Sequence, residues 1–190
     1  SLCKNIDEKR SHLESWQKML IEMIGGKWQG QEYILGYKPK SEEKYDFGFN
    51  YVVGSKWPTK KWPEENWHKL GEMLKSRGFS ISWQEGLKNL NEYADWIQSC
   101  RTLITTDSLG FHLALALKKR TVVIYGPTNS NETFMYERGI SVRPVGFSCV
   151  PCLAPKCTND RFCMDSILPE TVFESALQMA PMPNQLRHTV

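Results

Sequence analysis

From Phe47 onward the chain alternates short β-branched and aromatic runs with segments of helical period, and this alternation restricts the fold more than any other feature. Phe49 to Gly54 reads as a strand closed by a glycine. Pro63-Glu64-Glu65 opens a helix, because proline's fixed φ suits the first helical position and the two carboxylates face the positive end of the dipole. Trp67, Leu70, Gly71 and Leu74 recur along its inner stripe, and Gly78 stops it. Phe79 to Gln84 reads as a second strand, and Asn89 caps a helix with Leu90, Tyr93, Ala94 and Ile97 on its inner face. Thr102 to Thr106 predicts a third strand, and Asp107-Ser108 a cap on a largely apolar helix. Arg120 to Gly126 and Ile140 to Val145 supply a fourth and a fifth strand. Strands separated by helices of this length are βαβ units, which right-handed crossovers join into a parallel sheet. The fold class is α/β, Rossmann-like, with helices on both faces of the sheet.

The organisation divides at about residue 46. Residues 1–46 read as an N-terminal helix and a connection, 47–180 as the α/β domain with a cysteine-rich loop at 147–164, and 181–190 as a tail. In the first part Ser11-His12-Leu13-Glu14 has the form of a capping box. Leu13, Trp16, Leu20, Met23 and Ile24 follow at helical spacing, and Gly25-Gly26 ends the helix. Residues 27–46 form a connection with one short strand near Tyr33-Ile34-Leu35. Twenty-four basic and twenty-one acidic residues leave a net charge of +3, too small for a nucleic-acid footprint. No apolar run is long enough to span a bilayer, and no signal-peptide pattern opens the chain. The chain starts Ser-Leu-Cys rather than with Met, which reads as a fragment or a processed protein.

In an open parallel sheet the ligand lies outside the carboxyl ends of the strands, against helix N-termini. Three such corners carry candidates. The segment Gly54 to Pro63 offers Ser55, Lys56, Lys60 and Lys61 ahead of a helix, a set suited to a diphosphate, although composition alone describes only a solvated basic loop. It lacks the spacing of a Walker A loop, and G-x-G-x-x-G is absent from the chain. At the second corner Ser108 and His112 are four residues apart and share one helical face, with Asp107 at the turn. A histidine on an apolar helix is as readily a core residue as a ligand contact. Gly110 weakens the helix relative to alanine, which suggests a close approach to the backbone. The third corner is Gly126-Pro127-Thr128, by itself only a turn.

Four of the six cysteines, Cys149, Cys152, Cys157 and Cys163, fall in one loop. Four thiolates can close around a tetrahedral zinc or iron ion, while reduced thiols or two local disulfides are the bland alternative. No histidine lies near in the motif to activate a catalytic cysteine.

Together these segments, from about Phe49 to about Phe173, resemble the C-terminal domain of the ADP-heptose:lipopolysaccharide heptosyltransferase family. The resemblance is carried by Lys60-Lys61-Trp62-Pro63-Glu64-Glu65-x-Trp67, Thr106-Asp107-Ser108-x-x-x-His112, Tyr125-Gly126-Pro127-Thr128, and the Cys-x2-Cys loop ending in Cys163-Met164. It implies the C-terminal half of a two-domain GT-B glycosyltransferase that inverts the anomeric centre of an ADP-sugar. By motif match Ser55 and Lys60 hold the diphosphate, with Lys56, Gly126 and Thr128 lining the same crevice. Asp107 and His112 meet the sugar and phosphate, Ser108 and Gly110 add contacts, and Glu85 meets the ribose. No metal is expected on the diphosphate.

Related autotransporter heptosyltransferases hold iron in a cysteine-rich loop, with different spacing. The resemblance further implies a cytoplasmic enzyme in lipopolysaccharide biosynthesis with a peripheral inner-membrane contact. Its acceptor domain, with the catalytic aspartate, lies outside this sequence, so no catalytic residue is assigned and the chain alone is expected to be inactive. Ser55-Lys56 stands where relatives often have paired hydroxyls, and the glycine of Asp107-Ser108-Leu109-Gly110 is shifted by one position from the commoner order. The competing expectation is a non-catalytic, metal-containing Rossmann module that docks a protein partner.

Overall fold

The computed structural model describes residues 6–85 and 87–180. Strands β1 (Tyr45–Asn50), β2 (Ile81–Trp83), β3 (Cys100–Thr106), β4 (Arg120–Ile124) and β5 (Gly139–Val142) form one parallel sheet in the order β2-β1-β3-β4-β5. Phe47 pairs with Ile81 on one side and Thr102 on the other, and Thr105 pairs with Val123. Helices α3 (Glu64–Ser76) and α6 (Pro169–Met179) cover one face, and α4 (Leu90–Ser99) and α5 (Leu109–Ala116) the other. The α/β class expected from the alternation is the observed one.

Because successive strand side chains point to opposite faces, Phe47, Phe49, Ile104, Val122 and Ile124 join Trp62, Trp67, Leu70 and Leu74 in the α3/α6 layer. Leu103 packs with Ile97 and Ala114 on the opposite face, where Val123 and Tyr125 meet Phe111 and Leu115. Each large apolar side chain removed from water contributes about 1.5–3 kcal/mol. The inner stripe of α3 is the expected one, Trp67, Leu70, Gly71 and Leu74, and Gly78 follows with φ +83°. Asn89 caps α4, its Oδ1 accepting from the amides of Asn91 and Glu92 at 3.0 Å each. Leu90 departs from expectation: in the first turn of α4 it points outward, 60% exposed.

The first strand is displaced from its expected position. It runs Tyr45–Asn50 rather than 49–54, because Asp46, which reads as part of a charged connection, is buried inside the ladder. Its carboxylate accepts from the Ser80 amide at 2.9 Å and from Arg101 at 2.9 Å. Ahead of the sheet lie α1 (Ile6–Ser11) and α2 (Trp16–Met23). The expected capping box at Ser11 is not formed: Ser11 closes α1 by donating to Asp7 O, and Ser15 caps α2 by accepting from the Lys18 amide. Gly25, with φ +80°, follows α2 as expected.

The expected strand at Tyr33-Ile34-Leu35 is extended backbone without a ladder partner. Tyr33, Leu35, Tyr37 and Pro39 are half-buried and alternate with exposed Ile34, Gly36, Lys38 and Lys40. This strap crosses the α4/α5 face, where the Tyr37 hydroxyl donates to Asp95 Oδ2 at 2.9 Å and the Lys40 amide to Asp95 Oδ1 at 2.7 Å. The expected tail, 181–190, lies outside the described residues. Among the described residues no helix is long and apolar enough to cross a membrane.

Candidate functional site

The chain runs from β1 outward to β2 and then returns to β3 on the other side of β1, so the sheet changes direction between β1 and β3. A crevice at the carboxyl ends of two such strands is the usual ligand position in this architecture. Asn50 ends β1 on the α4/α5 side and is almost wholly buried. Its Nδ2 donates to Thr105 Oγ1 at 2.7 Å and to Ser108 Oγ at 2.9 Å, and its Oδ1 accepts from the Tyr93 hydroxyl at 2.6 Å. One amide thereby ties β1, β3, α4 and the start of α5 together. Gly110 lies under this knot: a Cβ there would overlap the Tyr93 hydroxyl and stand 2.5 Å from Asn50 Nδ2. The close approach that the glycine suggested is made by the protein's own side chains. Ser108 occupies the cap position of α5 but gives its hydroxyl to Asn50 and Thr105 rather than to the helix amides. The first turn of α5 therefore has no side-chain cap, and its Phe111 amide turns back to Ser108 O at 3.1 Å.

Beside the knot, Lys60 and Asp107 form an ion pair with Nζ 2.7 Å from Oδ2, each side chain 17% exposed. Lys60 also donates to Asp107 O at 3.0 Å and lies 5.3 Å over the Trp57 ring. It ends a short 3-10 turn, Pro58–Lys60, whose Thr59 hydroxyl anchors to Ala154 O at 2.8 Å. His112, one turn into α5, shares the cavity, and Tyr33 of the strap lies 3.1 Å from its Nδ1. Burial pushes the imidazole below its ordinary value; Lys60 acts in the same direction and Asp107 against it. The cavity is about 310 Å³ and is lined by Lys60, Asp107, Ser108 and His112, with Trp16, Asn129 and Glu132 opposite. It sets Lys60, paired with Asp107, beside the His112 imidazole and the start of α5, with the Glu132 carboxylate also on the lining; a lysine and a helix start are the parts that favour an oxyanion.

The remaining candidates are dispersed. Ser55 and Lys56 are exposed on the turn after β1 and do not line this cavity. Glu85 borders a separate cavity of about 370 Å³ with Tyr51, His68 and Trp83. Thr128 borders a third, about 580 Å³, with Arg143 and Phe147. Gly126 is buried, and a Cβ there would collide with Met164 Sδ, so its smallness serves packing against the turn Cys163–Ser166. Sequence reading did not find Asn50, Tyr93, Tyr33 or Trp16. For Asn50 a signal was present: a polar, strand-disfavoured residue closing an aromatic run.

In the cysteine loop Cys163 is buried, Cys149 and Cys152 are half-buried, and Cys157 is exposed. Burial first, then the neighbouring thiols of Cys152, Cys149 and Cys157, push the Cys163 thiol up to about 11. Asn159 Nδ2 lies 3.2 Å from Cys149 Sγ, and Arg10 donates to Cys149 O at 3.2 Å. The other three thiols thus lie within electrostatic reach of Cys163. They do not converge, however: among the described residues no group of three or more His, Cys, Asp or Glu side chains is arranged to hold a metal ion. The donor chemistry suits zinc or iron, but the geometry is not that of a closed site, and no chemical step is assigned to an ion.

Residues 86–162, which contain the Asp107 to His112 corner and most of the cysteine loop, match glycosyltransferase family 9 (heptosyltransferase). Over these residues the chain is similar to the family 9 heptosyltransferases. It is 33% identical over 138 residues to lipopolysaccharide heptosyltransferase 1 of Pseudomonas aeruginosa, a match covering 60% of this chain and 39% of the relative. Lipooligosaccharide heptosyltransferase 2 of Haemophilus influenzae is 28% identical over 131 residues, covering 55% and 34%. The chain thus spans less than two fifths of the length of these curated relatives.

Among solved structures, E. coli heptosyltransferase WaaC with ADP superposes with a TM-score of 0.62 at 16% identity, over 86% of this chain and 55% of that one. The dodecameric iron-containing heptosyltransferase TibC, from enterotoxigenic E. coli, is matched in complex with ADP-D-beta-D-heptose. There the TM-score is 0.67 at 16% identity, over 87% of this chain and 53% of that one. At such identities the heptosyltransferase likeness in structure is one of fold.

Proposed function

We propose that this chain is the nucleotide-sugar-binding half of an inverting heptosyltransferase-like glycosyltransferase and takes ADP-heptose in the Lys60–Asp107–His112 cavity. The observation that carries the reading is the position of that cavity at the carboxyl ends of β1 and β3, with a lysine and a helix start facing one space. Two related folds were solved with ADP or ADP-heptose bound, which supports the choice of ligand.

In the reaction an acceptor hydroxyl attacks the anomeric carbon, its new C–O bond forming as the bond to the diphosphate breaks. The hydroxyl proton passes to a base on the acceptor side, and the ADP oxygens take up negative charge. Lys60, the α5 amides and His112 would offset that charge. Asp107, on the nucleotide side and paired with Lys60, orients the lysine rather than serving as the base. The acceptor, a lipopolysaccharide-type sugar, would be held by a domain outside this sequence, and the chain alone would bind but not transfer. A cytoplasmic location with peripheral contact at the inner membrane follows from the same reading.

Calorimetry with ADP tests it. Lys60→Ala removes a charge-assisted hydrogen bond worth about 1.5–3 kcal/mol and weakens ADP at least about tenfold. Absence of binding by the unmodified chain at millimolar ADP would sink the proposal. For the cysteine loop the reading is one structural zinc or iron ion, supported by four thiols in one loop, three of which act on Cys163, and by the iron-containing relative of the same fold. Metal analysis of protein purified without added metal decides it, and no bound zinc or iron overturns it.

A further inference from the structure

The strap brings one hydroxyl to the crevice. The Tyr33 hydroxyl lies 3.1 Å from His112 Nδ1, its hydrogen-bond partner among the described residues. The two rings meet edge to face, with centroids 6.1 Å apart, and Tyr136 packs against Tyr33 at 6.2 Å. His112 Nε2 has no hydrogen-bond partner among the described residues, and the imidazole borders the cavity that holds Lys60 and Asp107.

We propose that Tyr33 is a positioning residue for His112: its hydroxyl donates to Nδ1, so the single imidazole proton resides on Nε2 and is offered to an oxyanion beside Lys60. The identity of that oxyanion as a nucleoside diphosphate rests on the function proposed above; the proton's position does not. A neutral imidazole has one acceptor nitrogen and one N–H, and a buried phenol O–H requires an acceptor. If Nδ1 held the proton, the Tyr33 oxygen would have to accept, and its own O–H would lose the nearby acceptor. Burial keeps the phenol protonated, its pKa pushed up to about 12. The charged and titratable groups around His112 are Tyr33 on the strap, Lys60 and Asp107 at the crevice, Glu132 across the cavity, and Tyr136 behind Tyr33. With the imidazole neutral, the site presents an N–H donor without first having to be protonated.

The test is long-range proton–nitrogen NMR of the His112 ring in the full chain without ligand, compared between the parent protein, Tyr33→Phe and Tyr136→Phe. The expected result is the Nε2–H tautomer in the parent and a mixture of tautomers in Tyr33→Phe. Tyr136→Phe removes a strap hydrogen bond to Gln31 O at 2.8 Å without touching the imidazole, and it should leave the tautomer unchanged. An Nδ1–H tautomer in the parent, or an unaltered tautomer in Tyr33→Phe, overturns the proposal. So does a matching change in Tyr136→Phe, which would trace the effect to a loosened strap.

Inorganic pyrophosphate, titrated by calorimetry, probes the oxyanion. Tyr33→Phe should weaken it about threefold to tenfold near neutral pH, the loss of one neutral hydrogen bond, and recover part of the affinity on acidification. Equal affinity in both proteins overturns the donor role. Pyrophosphate binding that is weakened in Tyr33→Phe, without binding of ADP, upholds Tyr33's role and refutes only the nucleotide reading.

Discussion

The Tyr93 hydroxyl donates to Asn50 Oδ1 at 2.6 Å, and the two side chains fill the volume that a Cβ on residue 110 would need. Gly110→Ala therefore overpacks the junction of β1 with α4 and α5 and should cost about 1–3 kcal/mol. Tyr93→Phe removes the atom that collides first, so the double variant should be less destabilised than the sum of the single ones. Urea unfolding of the four proteins gives the coupling, and strict additivity would show that residue 110 does not press on this pair.

His112 links stability to pH. Burial lowers its folded pKa below the ordinary 6.5, so the unfolded chain binds the proton more readily. The contribution is complete above about 6.5 and is lost as the pH falls through the folded value. His112→Gln should flatten the acid side of the stability curve over that window, measured by thermal melts across pH. An unchanged acid limb would assign the loss to other groups.

Lys60 reports on occupancy through Trp57, whose ring lies 5.3 Å beneath its ammonium. An anion that engages Lys60 alters the field at the indole, so ADP should change tryptophan emission in the parent protein. Trp57→Phe should remove most of that change while leaving calorimetric affinity within about tenfold, since phenylalanine keeps part of a cation–π contact whose whole worth is about 0.5–2 kcal/mol. If the signal survived intact in Trp57→Phe, ADP would be sensed elsewhere.

The cysteines should differ in reactivity. With chelator present, iodoacetamide at mildly alkaline pH should modify, of the four loop cysteines, exposed Cys157 first and Cys163 last, because burial and its thiol neighbours hold Cys163 protonated. Mass spectrometry of tryptic peptides over time gives the order, and early labelling of Cys163 would contradict its burial.

The sequence makes the sheet legible where side chains obey one influence. The α3 stripe is determined by burial alone and Asn89 by local capping, and both are read correctly. The start of β1 is hidden because Asp46 is a charge made tolerable by Arg101, fifty-five residues away. The strap shows the alternation of a strand, with Ile34 turned to solvent, but alternation does not reveal whether a neighbouring edge exists to pair with. In the cavity, Lys60, Asp107, Ser108 and His112 stand together as expected polar residues of the segments that follow β1 and β3. Asn50 and Tyr33 are missed because their importance lies in contacts forty-three or more residues distant.

The strap and α2 are fastened without sharing in the sheet. No residue of α2 is buried, and side-chain bonds such as Gln17 to Phe134, Glu32 to Arg138 and Tyr33 to His112 do the holding. Such a segment can lift away at a cost far below that of unfolding the domain, which makes it a latch over the crevice. Any ligand that draws on the Nε2 proton of His112 tightens the latch, and a closed latch tightens the ligand by the same factor. Hydrogen exchange in residues 16–36 is thus a gauge of what occupies a pocket those residues barely line.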